Sequence, residues 1–315
     1  MNQPSVMVYL MTGFLDSGKT QFLKFTLSQD YFQIRGKTLL LLCEDGEEEY
    51  DPEELKKYHV VVERVERQEE LTEDYLKMLD KKHRPKRVVV EYNGMWKVSD
   101  FEKLKLPYGW EMEQKLTTVD ASTFQMYLTN LKPLFVEMVR GSELVLFNRC
   151  EDIKPLAGYR RSVKVVSPQA EVVFEDEEGE IENIFGDEMP YDMNAPVIEI
   201  RPEDYGIWYI DCMDQPERYR GKIVEFTLQA KKYPGFPTGV FVPGRTAMTC
   251  CADDTTFLGY VCKCGKEPEP EDGAWVKIQA KIGFAHLSVY RGVGPVLKAQ
   301  HIETAEEIKE MVYFN

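Results

Sequence analysis

Positive charge is in short supply in this sequence. Its 315 residues carry 39 Lys and Arg against 54 Asp and Glu, a formal charge of −15 at pH 7. Such a chain repels phosphate backbones and anionic headgroups through the Coulomb term that draws basic proteins to them. Nucleic acid is therefore not an expected partner. Long apolar runs are also missing: none approaches the roughly 20 residues that cross a bilayer, so the chain is not expected to span a membrane. The first residues lack the basic, apolar and small-residue order of a secretory signal, which makes the cytoplasm the expected address. Histidine is scarce, and His59, His83, His286 and His301 are too dispersed to mark a metal site. Neither a C-x2-C knuckle nor an internal repeat occurs. The seven cysteines, odd in number, fit thiols or metal ligands in a reducing compartment better than a disulfide framework.

What is present begins with GFLDSGKT, Gly13 to Thr20, directly after the apolar run Val6–Met11. G-x-x-x-x-G-K-[ST] between a strand and a helix lets consecutive backbone N–H groups face phosphate oxygens, with glycines permitting the bend. In this reading Gly13 and Gly18 make the bend and Lys19 reaches the β- and γ-phosphates. Thr20 puts its hydroxyl on Mg²⁺, and Asp16, Ser17 and Gln21 complete the nucleotide-contacting set, the Asp16 carboxylate costing Coulomb energy beside a triphosphate unless it points outward. A carboxylate at the end of a neighbouring strand is the second requirement. Glu91 closes the run Arg87–Val90 and is placed as catalytic residue and metal ligand beside Lys19. Gly94, three residues on, offers an N–H to the γ-phosphate, and Glu44 is a further candidate for the Mg²⁺ shell.

Further strands are expected at Thr38–Cys43, Val60–Val62, Leu116–Asp120, Leu144–Asn148 and Val163–Ser167, with helices over Leu71–Leu79 and Ser122–Arg140. Strands separated by helical patterns imply a parallel sheet covered on both faces. After Ser167 the pattern changes. The acidic stretch Glu175–Glu182 and the turn-rich Phe185–Pro196 read as a linker, and the acidic runs Glu47–Glu54 and Glu175–Glu182 as solvated loops. Beyond them, short runs at Ile223–Leu228, Gly239–Val242, Phe257–Cys262, Trp275–Ile282 and Val296–His301 suggest an OB-like barrel or a sandwich. The expected fold is thus α/β: a P-loop NTPase domain with a mainly parallel sheet over residues 1–190, then a smaller β-rich domain over 200–315. Trp96, Trp110, Trp208 and the tyrosines of Tyr205–Tyr209 read as core or domain-interface anchors.

Asn148-Arg149-Cys150-Glu151 resembles the N-K-x-D signature of guanine-specific GTPases, with Arg for Lys, Glu for Asp, and Asp152 as a substitute acid. That resemblance places Asn148 and Glu151 on the purine edge, Arg149 over the ring, and GTP ahead of ATP. GFLDSGKT itself resembles the GFLGSGKTT of the CobW-type metallochaperone GTPases. Cys43-Glu44-Asp45-Gly46 is similar to that family's N-E-F-G, Glu91-Tyr92-Asn93-Gly94 to its E-T-x-G, Val119-Asp120-Ala121 to its V-D-A, and Ser167-Pro168-Gln169-Ala170 to its N-P-x-A. The resemblance implies a Mg-dependent GTP-binding protein cycling between GTP and GDP with slow hydrolysis, acting as a metallochaperone or regulatory switch. No arginine finger is legible. The family's metal-binding C-x-C-C is absent, because residues 62–70 read VERVERQEE.

The C-terminal part resembles the soluble domain of a bacterial family of permease subunits, chiefly through Met248–Asp254, MTCCADD. This brings in a second reading, a nucleotide-dependent adaptor that docks on a membrane permease or another protein, alongside a metalloprotein client for the chaperone reading. Cys250, Cys251, Cys262 and Cys264 are candidate Zn²⁺ ligands. Alternation puts Cys262 and Cys264 on one strand face about 6–7 Å apart along the chain, whereas Cys250 and Cys251 must sit in a turn to join them. Buried core thiols are the alternative.

Overall fold

A computed structural model describes residues 6–46, 48–153, 155–181, 184, 189–248, 254–290 and 292–312. In chain order the first part runs β1 (Val6–Thr12), α1 (Lys19–Ser28), β2 (Thr38–Leu42), α2 (Pro52–Lys57), β3 (Val60–Arg64), α3 (Glu73–His83), β4 (Arg87–Glu91) and α4 (Val98–Glu102). It continues with β5 (Trp110–Asp120), α5 (Phe124–Asn130), α6 (Lys132–Val139), β6 (Leu144–Asn148), α7 (Leu156–Lys164), β7 (Glu171–Asp176) and β8 (Gly179–Glu180). The sheet order is β3-β2-β4-β1-β5-β6-β7-β8, parallel except for the terminal hairpin strand β8. β2 and β4 are buried along their whole length, as central parallel strands covered on both faces must be. From β1 the chain runs out to β2 and β3, returns to β4 beside β1 and then crosses to β5, so loops at the carboxyl ends of β1, β4 and β5 meet at a topological switch point. Register keeps those ends level: Met11 pairs with Glu91, Leu42 with Glu91, and Asp120 with Asn148.

α1 buries Lys19, Leu23 and Leu27, one residue per turn. Leu23 and Leu27 join Met11, Leu40, Leu55, Val60 and Val89 in one apolar cluster, which clamps the start of the helix against the sheet. Three expectations differ here. The helix expected over Ser122–Arg140 is broken into α5 and α6, because Pro133 in the first turn of α6 has no N–H to continue α5. The strand expected at Val163–Ser167 is instead the last residues of α7 and the start of the connection to β7: Tyr159, Ser162 and Val163 are buried at helical spacing, which overrides the β-branched run. The acidic stretch from Glu175 is not a solvated linker at its start, since β7 and β8 make a hairpin there.

The chain divides into two compact units, residues 1–156 with 166–185, and residues 157–165 with 186–315. The second contains α7, β9 (Ile198–Glu199), α8 (Tyr205–Asp214), α9 (Pro216–Tyr219), β10 (Ile223–Lys231), β11 (Val240–Met248), β12 (Thr255–Gly259), β13 (Val261–Lys263), β14 (Trp275–Leu287) and β15 (Gly292–Thr304). β10, β11, β13, β15 and β14 pair around a closed ring, with β13–β15 the parallel step. The result is a five-stranded barrel of OB-like connectivity, and closure removes the edges that a sandwich would leave. The single strand expected at Phe257–Cys262 is two strands, β12 and β13, separated at the buried Tyr260, whose hydroxyl donates to the Tyr209 carbonyl.

Trp208 on α8 anchors this unit, with its ring 5.4, 4.9 and 5.6 Å from those of Tyr205, Phe226 and Tyr260 and no exposed surface. The aromatic run is core, as expected of anchors. Its indole N–H has no hydrogen-bond partner among the described residues. Trp208→Ala is therefore expected to lower the unfolding free energy by about 3–5 kcal/mol. Trp208→Phe should cost less, because it removes an unsatisfied donor along with the lost volume. Urea unfolding followed by near-ultraviolet circular dichroism checks the ranking.

Candidate functional site

The loop between β1 and α1 turns on two glycines. Gly13 sits at φ +143° and Gly18 at φ +91°. A Cβ on Gly13 would lie 2.5 Å from both the Ser17 hydroxyl and the Thr118 carbonyl oxygen. Gly18 caps α1, and the Asn148 amide donates to the Ser17 carbonyl at 2.8 Å just beneath it. A third glycine closes the loop from the other side. A Cβ on Gly94 would meet the Gly13 carbonyl at 2.6 Å and the Phe14 Cα at 2.7 Å, so only glycine lets the segment after β4 reach the loop.

Around this loop the charged groups converge. The Lys19 ammonium is buried and donates to the carbonyls of Gly13 and Phe14 at 2.9 and 2.8 Å. It also pairs with Glu44 Oε2 at 2.6 Å, and Glu44 Oε1 accepts the Gly94 N–H at 3.2 Å. Thr20 donates to Glu91 Oε1 at 2.6 Å and Tyr50 donates to Glu91 Oε2 at 2.5 Å, so both carboxylate oxygens are held. Burial pushes the Glu91 carboxyl above the usual carboxylate range, opposed by the Thr20 and Tyr50 hydrogen bonds and the Lys19 charge and assisted by Glu44. One buried ammonium thus faces two carboxylates, a local surplus of negative charge. Cys43, between β2 and Glu44, is buried, and desolvation followed by Glu91 and Glu44 pushes its thiol up.

The other end of the site is wider. A cavity of about 700 Å³ is lined by Gly18, Gln21, Phe22, Phe25, Asn148, Arg149 and Glu151, together with Glu175, Asp176, Glu177 and Gly179 of the β7–β8 hairpin. The Arg149 guanidinium donates to the Asp16 carbonyl at 2.8 Å and to Asp120 Oδ2 at 2.5 Å, which ties the base end to the phosphate end. Asp16 itself is exposed and at positive φ, and it lines the smaller pocket beside Lys19, Thr20, Glu44 and Glu91. Ser17 turns its hydroxyl inward, 2.9 Å from that of Thr118, so only its backbone faces the loop interior. Glu151 lines the cavity, and Asp152 is not among the residues lining it. Sequence reasoning missed Tyr50, Asp120 and the hairpin acids. Asp120 had a signal in Val119-Asp120-Ala121, whereas Tyr50 sits in an acidic loop that gives none.

The sequence profile of the CobW/HypB/UreG nucleotide-binding domain matches residues 7–174, more than half of the chain. The chain belongs to the CobW/HypB/UreG family. The family is one of P-loop GTPases, and the sheet order, loop and helix described above are the fold expected of it. Residues 178–314 match the DUF1980 C-terminal domain. No curated protein matches at a significant level. Among solved structures, the hydrogenase maturation factor HypB from Archaeoglobus fulgidus is 18% identical with a TM-score of 0.39, covering 56% of this chain and 83% of that one. The Zn(II)-bound YjiA GTPase from E. coli is 15% identical with a TM-score of 0.44, covering 87% and 92%. At these identities and TM-scores the two structures add nothing to the family assignment.

The expected thiol site falls partly outside the described residues of this member of the CobW/HypB/UreG family. Cys250 and Cys251 lie outside the described residues. Cys262 lies on β13 and Cys264 just beyond its end, 0% and 3% exposed. Burial raises the pKa of each thiol, which works against the thiolate that a metal needs. Among the described residues no group of three or more His, Cys, Asp or Glu is arranged to hold a metal ion. Likewise, no described helix is long and apolar enough to cross a membrane.

Proposed function

We propose that the N-terminal unit binds Mg²⁺ and a guanine nucleotide at the β1–α1 loop, hydrolyses GTP slowly, and works as a regulatory switch. The observation that carries this reading is the convergence of Lys19, Thr20, Glu91 and the Gly94 N–H on one side of the Gly13–Gly18 turn. Magnesium fits the donors. Thr20 and Glu91 are hard oxygen ligands already 2.6 Å apart, and their surroundings carry surplus negative charge. When bound, the ion neutralises charge on the β- and γ-phosphates. Thr20 and Glu91 would hold it, Lys19 would bind the phosphates, and Asn148, Arg149 and Glu151 would receive the base. Hydrolysis is slow in this reading because no arginine in the described site is free to reach the γ-phosphate: Arg149 is committed to Asp16 and Asp120. Calorimetry with GTP, GDP and ATP tests it. GTP and GDP are expected to bind in the presence of Mg²⁺, and binding of neither would sink the reading. Equal affinity for ATP would remove the guanine preference alone.

What the switch controls is a separate matter. The metallochaperone role draws support from the family but none from a soft-metal site among the described residues. Among the described residues the thiols next to the site are Cys43 and Cys150, both buried, and burial pushes each thiol up. That observation favours the second reading, an adaptor whose GTP state docks on a permease or other protein partner rather than delivering metal.

A further inference from the structure

Glu44 occupies a particular place. Its two oxygens take the two donors that the proposed function assigns to the γ-phosphate: Oε2 the Lys19 ammonium at 2.6 Å, and Oε1 the Gly94 N–H at 3.2 Å. The pair is enclosed, with side-chain exposures of 3% for Lys19 and 9% for Glu44, so the attraction is little screened by solvent. A carboxylate and a terminal phosphate both present anionic oxygens to such donors. From these contacts we infer that Glu44 is an internal surrogate for the γ-phosphate, and that having to displace it lowers the site's preference for a nucleoside triphosphate over a diphosphate. The inference rests on the nucleotide-binding reading above and adds to it a specificity-determining residue.

The physical logic is competition. A γ-phosphate brings its own oxygens to Lys19 and Gly94, and Glu44 must leave both. A diphosphate lacks that group, so its β-phosphate meets Lys19 while the carboxylate keeps the Gly94 N–H. The expelled side chain carries its segment with it. Glu44 follows Cys43, whose N–H donates to the Glu91 carbonyl at 3.0 Å and whose carbonyl accepts from the Asn93 amide at 3.2 Å. Six residues beyond Glu44, Tyr50 donates to Glu91. Glu44 and Tyr50 therefore each hold the site, and loss of the γ-phosphate after hydrolysis returns Glu44 to its donors. The lowered preference and a nucleotide-dependent shift of this segment have one cause.

The test compares affinities for GDP and for a non-hydrolysable GTP analogue, by calorimetry with Mg²⁺, in wild type, Glu44→Gln and Glu44→Ala. If the carboxylate is seated in about nine-tenths of molecules, its removal tightens binding of the displacing ligand about tenfold. The ratio of GDP to analogue dissociation constants is thus expected to rise about tenfold in both variants. An unchanged or lower ratio overturns the inference while leaving nucleotide binding intact. Failure of wild type to bind either nucleotide overturns both readings. Where a variant does not fold, hydrogen exchange of the wild-type segment 44–50 decides. A different rate with the analogue than with GDP is expected, and identical rates in the two states overturn the displacement.

Discussion

Lys19→Ala is expected to weaken binding of GTP and GDP by about 100-fold, since a hydrogen bond to a charged group contributes about 1.5–3 kcal/mol and Lys19 faces more than one phosphate oxygen. The reason lies in how the residue is placed. Lys19 is the first residue of α1, its stem is buried, and the Gly13 and Phe14 carbonyls aim its ammonium across the loop. No neighbouring cation in the described site can replace it, because Arg149 is tied to Asp16 and Asp120 on the far side. The substitution also leaves Glu44 enclosed without its cation, so the nucleotide-free variant should melt below wild type. Calorimetry with both nucleotides, beside a thermal melt to show that the variant is folded, measures both effects. Retention of wild-type affinity by a folded variant would contradict the phosphate-site assignment.

Glu91→Gln is expected to separate turnover from binding. The amide keeps an acceptor for Tyr50 or Thr20 but removes the charge assigned to the metal shell and the attacking water. Hydrolysis should fall about 100-fold, within the range for losing a positioned acid–base group, while affinity for the triphosphate analogue changes far less. The same variant should be more stable than wild type without nucleotide. Burial raises the folded-state pKa of Glu91 above its unfolded value, so the charged carboxylate carries a penalty that is fully present above the raised pKa. As pH falls through the raised pKa toward the ordinary carboxylate range, wild type takes up the proton and the penalty disappears. The stability gap in favour of Glu91→Gln should therefore be widest near neutral pH and close on acidification. Single-turnover hydrolysis and unfolding curves at several pH values give the two readouts. Equal turnover in the variant would remove Glu91 from the catalytic role.

Several features were legible because local chemistry carried them. The glycine turn and its lysine, the all-apolar β4 ending in an acid, and the Asn148 segment after β6 each announce themselves within a few residues. Other features were not, because the competing signal was also local. The Val163–Ser167 run has strand composition, yet burial at helical spacing made it part of α7 and its exit. The Glu175–Glu177 acids read as a solvated stretch, yet pairing of β7 with β6 carries them to the rim of the 700 Å³ cavity. Tyr50 lies in an acidic loop with no period, and its contact with Glu91 spans 41 residues of sequence.

By itself, then, the sequence determined which groups this protein contains: a glycine turn with its lysine, a strand-end carboxylate, the Asn148 segment proposed to receive the base, and a second unit of short strands separated by turns. These arise from residue type and short-range spacing, where φ preferences, helix starts and alternation act. Only the tertiary structure decided how those groups are used. Parallel register levelled Glu91 with Met11 and Leu42, bringing Thr20, Glu44, Glu91 and Gly94 to one point. Ring closure among β10, β11, β13, β15 and β14 made a barrel and left Cys262 and Cys264 buried. The Glu44–Lys19 pair is the clearest case: a carboxylate that reads in sequence as a metal ligand is brought through sheet order into an enclosed ion pair with Lys19, the contact behind its proposed role. Long-range pairing and the low dielectric it creates set that role, and no local pattern encodes either.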